Sequence, residues 1–162
     1  MAIEAAATTG VVFVLGELTT THYVDVQRVV RDTVRRIGYD DSRLGFDWQT
    51  CGAITALKEQ SPDIAQGVDE SYEHQHGDRD PIDLVGAGDQ GMMFGFATDE
   101  TDALMPAPIQ LAHAVTRQLA LARKDGSLPF LRPDGKSQVT VRYEGDRPVG
   151  VEKILVSAQH RD

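Results

Sequence analysis

The sequence predicts an α+β fold built from repeated strand–helix–strand units, with sheets covered on one face by amphipathic helices. Three observations carry that prediction. A continuous apolar run rich in β-branched residues, Gly10-Val11-Val12-Phe13-Val14-Leu15, reads as a strand buried on both faces. Two later segments place apolar residues three and four apart, the period of a helix with one buried stripe. The C-terminal stretch alternates apolar and polar residues around a glycine turn, as a hairpin does.

The first helix follows the threonines at 19–21. Val26, Val30, Val34 and Ile37 recur at helical spacing with Arg28, Arg31, Arg35 and Arg36 mostly around the other side, which sets a helix over about 23–37. Arginines in its last turn complement the helix dipole, and Gly38 stands where a left-handed residue ends a helix. A turn-rich stretch with Asp40, Asp41, Ser42 and Gly45 leads to a second strand over 51–57. Cys51, at its start, reads as a small core filler.

Residues 61–90 differ in composition. They hold eight acidic side chains (Asp63, Asp69, Glu70, Glu73, Asp78, Asp80, Asp83, Asp89) and one basic one, Arg79, and four glycines and two prolines break any period. A long insertion of this kind reads as a mobile loop. A third strand is expected over 92–98. A helix follows over 107–124 with Leu111, Val115, Leu119 and Ala122 on one face, Pro108 in its first turn and Gly126 just past its end. Val139, Val141 and Tyr143 then alternate with polar residues, Glu144-Gly145-Asp146 turns, and 149–156 returns. Gly10-Val-Val-Phe13 and Gly91-Met-Met-Phe94 each open a strand in this layout, an echo that suggests duplicated architecture.

Composition narrows the function classes. The 162 residues suit one domain or two small ones. Sixteen Lys+Arg against 25 Asp+Glu give a net charge of −9, which argues against gripping a nucleic-acid backbone. A single cysteine excludes an internal disulfide and a Cys-built zinc site. No charged-then-apolar leader and no apolar stretch of about 18 residues occurs, so neither signal peptide nor membrane span is expected. A cytoplasmic location follows as the expectation.

Several segments have the residue types of a binding site. Gly86-Ala-Gly-Asp-Gln-Gly91 fits the spacing of a dinucleotide fingerprint, but its third glycine leads into a predicted strand where that motif needs a helix. Asp89 in this turn is a carboxylate set among glycines beside apolar chain, an arrangement costly to desolvate without a purpose. Gly135-Lys136-Ser137 ends like a phosphate-binding loop, yet Phe130 stands where the first glycine belongs. Arg132-Pro133-Asp134-Gly135-Lys136 reads as a charged turn at the mouth of a strand, where Lys136 could meet a phosphate and Asp134 a ribose or base. His74 and His76 are explained more cheaply by a solvated loop than by a metal. His113 reads as an ordinary helix residue, and His22, Asp25 and Thr33 form no recognisable triad. Glu4 and Glu17 flank the first strand, and Glu17 follows the buried run directly, where ligands commonly meet such sheets.

Together these segments resemble the S-adenosylmethionine synthetase (methionine adenosyltransferase) family. The matching pieces run in family order: Gly16-Glu17-Leu18-Thr19-Thr20, Arg31-Asp32-Thr33-Val34, Ile37-Gly38-Tyr39, Gly45-Phe46-Asp47 and Gln60-Ser61-Pro62-Asp63-Ile64. After them come Gly86-Ala87-Gly88-Asp89-Gln90-Gly91, Leu104-Met105-Pro106-Ala107-Pro108, Leu131-Arg132-Pro133-Asp134-Gly135-Lys136 and Ser157-Ala158-Gln159-His160. The resemblance spans essentially the whole chain. It implies a pseudo-threefold fold of similar domains, in which 1–85 would end an N-terminal-type domain, including a mobile loop over 60–85, and 86–162 would be a central-type domain.

The resemblance further implies attack of the methionine sulfur on C5′ of ATP, with magnesium and potassium assisting, in a homo-oligomer whose active sites lie between subunits. Carried over by position, Glu4 would help hold potassium, Glu17 and Gln60 would bind methionine, and Asp89 would line the substrate site as a catalytic residue. Asp134 and Lys136 would bind ATP, with Lys136 also catalytic. The sequence departs from the family at Ile3 and Ala5–Ala7, around Glu4. The family's His-Pro-Asp-Lys motif and its later lysine-bearing glycine loop are not among these residues, so the chain is expected to be a middle portion of such an enzyme. Neutralising a leaving triphosphate takes several converging cations, and inactivity of the piece alone is the expectation. The alternative is a non-catalytic truncated paralogue acting as a subunit-interaction or regulatory module.

Overall fold

The structure is a computed structural model that describes residues 2–77, 79–84, 86, 92 and 94–161. The chain divides into two compact units, Met1–Met93 and Phe94–Asp162.

The first unit contains β1 (Ala2–Thr8), β2 (Val11–Glu17), α1 (Val26–Ile37), a short 3-10 turn (Ser42–Leu44), β3 (Gly52–Lys58), α2 (Pro62–Val68) and α3 (Tyr72–Gln75). The sheet order is β1-β2-β3, antiparallel between β1 and β2 and parallel between β2 and β3. The parallel pair needs a crossover, which α1 supplies. Val30 and Val34 of α1 pack with Val12 and Cys51, and Val14, Val26, Tyr39, Phe46, Trp48 and Ala53 close around them. Cys51 is therefore the core filler its position suggested.

Helix α1 begins at Val26, the first residue of its apolar stripe and later than the expected start near 23, because the Asp25 carboxylate caps it by accepting the Arg28 N–H. It ends at Gly38, whose φ of 112° is left-handed, with Arg35 and Arg36 in the last turn. The β2 run is not buried on both faces. Alternation turns Val12 and Val14 to α1, whereas Phe13 and Leu15 are 37% and 43% exposed on the far side. An apolar run long enough for two buried faces has here one covering helix. Strand β1 was not evident in the sequence: all seven of its residues are exposed, and three consecutive alanines mask it.

The second unit is a long hairpin, β4 (Leu131–Glu144) and β5 (Arg147–His160), with α4 (Ala107–Lys124) against one face. Ala112 and Ala122 are buried and Val115 and Leu119 half-buried, while Leu111, expected in that stripe, is 38% exposed at its edge. Gly145 takes φ 59° in the two-residue turn.

Three further expectations are corrected. The acidic stretch after Gln60 is not without regular structure: Pro62 opens α2 at its first turn and Ser71 caps α3 by accepting the His74 N–H. Residues 92 and 94–98 form no strand, and the proposed echo of Gly10 and Gly91 lies partly outside the described residues, which include neither Gly91 nor Met93. Arg132–Lys136 is not a turn before a strand. It lies inside β4, where the register shifts between Leu131 and Gly135 absorb its proline.

Candidate functional site

The parallel register sets the first part of the site. Glu17 and Lys58 are the last residues of β2 and β3 and lie directly opposite each other. Lys58 Nζ approaches Glu17 Oε1 at 3.0 Å. Beyond the strands the backbones stay stitched together: Leu18 N–H donates to Lys58 O at 2.9 Å, and Gln60 N–H to Thr19 Oγ1 at 3.2 Å. Glu17, Lys58, Thr19 and Gln60 thus gather at the carboxyl ends of two parallel strands joined through a helix, a usual ligand position in such sheets. Two predicted residues, Glu17 and Gln60, are brought together here.

Glu4 joins them at longer range. It pairs with Leu15, and Ala2 pairs with Glu17, so Glu4 and Glu17 are diagonal neighbours on one sheet face. That face is the one turned away from α1, and it carries the exposed Phe13, Leu15 and Ile54. The residues present do not fit a cation site. Glu4 stands exposed, Glu17 already faces an ammonium, and no group of three or more His, Cys, Asp or Glu able to hold a metal occurs among the described residues. Magnesium has no carboxylate set here for the same reason.

Asp134 and Lys136 belong to the second unit. Both are exposed, two residues apart on β4. The Ser137 hydroxyl donates to Ala112 O of α4 at 2.7 Å, which turns Ser137 inward and Lys136, by alternation, outward. Lys136 makes no ion pair among the described residues. A groove of only about 40 Å³ runs between α4 and the bulge beside Asp134, far below the several hundred cubic ångströms of a small-molecule pocket. Asp89 lies outside the described residues.

A cleft of about 1190 Å³ is lined by the α2–α3 segment, and none of the predicted site residues is among its described lining residues. Asp69, Glu70, Glu73 and Asp83 border it, a charge that repels phosphate. His74 and His76 are in α3 and at its end, where the His76 ring stacks on Tyr72 at 3.9 Å.

Three carboxyls among the described residues, Asp47, Glu100 and Asp125, are held below their ordinary range, Asp125 by the Ser127 hydroxyl first and then the Ser127 N–H just past α4. Asp47, 3% exposed, is lowered by the Thr50 hydroxyl first and then by the N–H groups of Gln49 and Thr50, in the turn that leads into Cys51. Glu100 is lowered by the Ala107 N–H and the Tyr143 hydroxyl. The residue the sequence did not reveal is Lys58. Its signal was the strand–helix–strand pattern itself, which places the ends of two parallel strands side by side.

Comparisons with known proteins bear on the family of the chain. Residues 1–62 match the S-adenosylmethionine synthetase N-terminal domain, and residues 84–162 match the central domain of the same synthetase. The chain is 60% identical over 161 residues to an S-adenosylmethionine synthase of Thermus thermophilus, covering 99% of this chain and 41% of that protein. Those of Clostridium botulinum and Clostridium acetobutylicum are 56% and 57% identical over 160 residues, with the same coverage. The chain therefore spans about 41% of the length of the curated relatives it matches. With two successive domain models matched in order across most of its length, the chain belongs to the S-adenosylmethionine synthetase family.

Proposed function

We propose that these residues supply part of the substrate site of a cytoplasmic methionine adenosyltransferase. In that reaction the methionine sulfur attacks C5′ of ATP, and the C5′–O bond breaks with its electrons leaving on triphosphate. Triphosphate is then hydrolysed to phosphate and diphosphate. The observation that carries the reading is the convergence of Glu17 and Gln60 at the carboxyl ends of β2 and β3 in a chain of this family.

Within this reading Glu17 accepts the methionine ammonium and Gln60 contacts the rest of the amino acid. Asp134 meets the adenosine, Lys136 offers a compact positive charge to phosphate, and Asp89 lines the substrate site. The division into an N-terminal-type part, 1–85, and a central-type part, 86–162, belongs to the same reading. So does a homo-oligomer with sites between subunits, which the exposed apolar residues Phe13, Leu15 and Ile54 support. Magnesium and potassium enter as the ions of such a synthase, Glu4 being the residue the resemblance gives to potassium.

The 162 residues by themselves should not turn over. A net charge of −9 opposes a polyanionic leaving group, and Lys136 alone cannot neutralise it. The test is product formation from ATP and methionine with magnesium and potassium. The isolated polypeptide should yield no S-adenosylmethionine, and turnover by it would overturn its incompleteness. In the full-length protein Glu17→Gln should raise the methionine KM about tenfold or more, the usual cost of losing a charged hydrogen bond, with little change in the ATP KM. An unchanged methionine KM would overturn the site.

A further inference from the structure

The Glu17 carboxylate is not waiting empty for a ligand: Lys58 Nζ stands 3.0 Å from Oε1. We propose that Lys58 is a built-in competitor for the substrate ammonium, occupying Glu17 until methionine displaces it and so setting the affinity for the amino acid. The inference rests on the reading of Glu17 as the ammonium ligand and deepens it.

The geometry favours exchange over a fixed bridge. The two side chains differ in exposure, 22% for Glu17 and 76% for Lys58. The carboxylate is thus half-buried, while the ammonium sits at the end of a flexible, largely hydrated stem. The backbone beneath Lys58 is fixed, by its pairing with Glu17 and by the Leu18 N–H on its carbonyl. Only the side chain has to move. A lysine ammonium and the α-ammonium of methionine are the same kind of group, a compact cation with three donors, so both satisfy Glu17 in the same way and exclude each other. Ion pairs this exposed are weak, so the competition is worth a few-fold in affinity and is readily reversed.

Equilibrium dialysis of labelled methionine against the full-length protein tests this, with ATP binding as the control. Lys58→Met and Lys58→Gln should each tighten methionine binding about two- to fivefold and leave ATP binding unchanged. Lys58→Arg should restore the weaker, parental affinity. A merely structural lesion would weaken binding, so a gain is diagnostic. In a Glu17→Gln background, Lys58→Met should have no further effect, because the two changes act on one contact. Unchanged or weakened methionine binding in both Lys58 variants overturns the proposal while leaving Glu17 in place. Unchanged binding in Glu17→Gln alone overturns the underlying reading instead.

Discussion

The Tyr143 hydroxyl donates to Glu100 Oε2 at 2.5 Å, and the same oxygen accepts the backbone N–H of Ala107 at 2.9 Å. Glu100 thereby does for α4 what a capping residue does for other helices. Pro106, at the cap position, has no side chain able to accept, and the first N–H groups of a helix need a partner. A carboxylate there also meets the positive end of the helix dipole.

Removing either member of the pair should loosen the start of α4, and pH separates their contributions. The Ala107 N–H, then the Tyr143 hydroxyl, hold the Glu100 carboxyl below its usual 4.5, while the bond to Glu100 raises Tyr143 above its usual 10.0. A depressed carboxyl stabilises the fold above pH 4.5, and that contribution is lost as pH falls through its folded value. A raised phenol stabilises below pH 10.0 and loses its contribution as pH rises through its folded value. Glu100→Gln should therefore flatten both limbs of the melting-temperature profile, since Tyr143 owes its shift chiefly to Glu100, whereas Tyr143→Phe should flatten the alkaline limb and leave most of the acid limb, the Ala107 N–H still holding Glu100. Melting curves of the two single variants and the double variant check this, the double losing less than the sum.

Gly16 should tolerate no side chain. Its φ is 133°, and a Cβ built there would overlap the carbonyl oxygen of Ala2 on β1. Backbone cannot swing aside as a side chain can, so Gly16→Ala must break the β1–β2 pairing beside Glu17. The expected loss is about 2–4 kcal/mol from strain and clash, read from denaturant unfolding. In the full-length protein it should be accompanied by weaker methionine binding, since the displaced strand end carries Glu17.

The same contrast between local and tertiary causes explains what the sequence reveals. Helix α4 is legible because its signals are local, with Pro108 in the first turn and Gly126 at φ 82° beyond the end. Strand β1 is not, because Ala5–Ala7 have little β-propensity and no buried face to alternate with, and pairing with β2 alone makes the strand. The run at 92–98 errs in the other direction: apolar composition suits a strand, but composition supplies no neighbour. At the site, Glu17 is legible as a carboxylate after a buried run. Lys58 is far from it in sequence and becomes its partner only through parallel register.

Arg31 should matter to the core more than its place on a polar helix face suggests. Its Nη1 donates to the carbonyls of Trp48 at 2.8 Å and Gln49 at 2.9 Å, holding the turn that delivers Cys51 to the core. Arg31→Met leaves both carbonyls without that donor and should cost about 1–3 kcal/mol. Arg31→Lys should recover only part of this, because the shorter lysine stem must carry its ammonium to the place of Nη1 to meet both carbonyls. Urea midpoints of the two variants test the order.

Lys136 should separate the nucleotide side of the proposed site from the methionine side. The inward bond of Ser137 to α4 keeps Lys136 on the outer face of β4, so its removal leaves no buried hole and no broken core contact. Lys136→Met should accordingly leave the melting temperature nearly unchanged. If Lys136 meets phosphate, the same change should raise the ATP KM about tenfold, as the loss of a charge-assisted contact does, with little effect on the methionine KM. Lys136→Arg should recover most of the affinity, because charge is the main requirement there. Added salt should weaken the parental protein's ATP binding more than that of Lys136→Met, since one screened charge pair is missing from the variant.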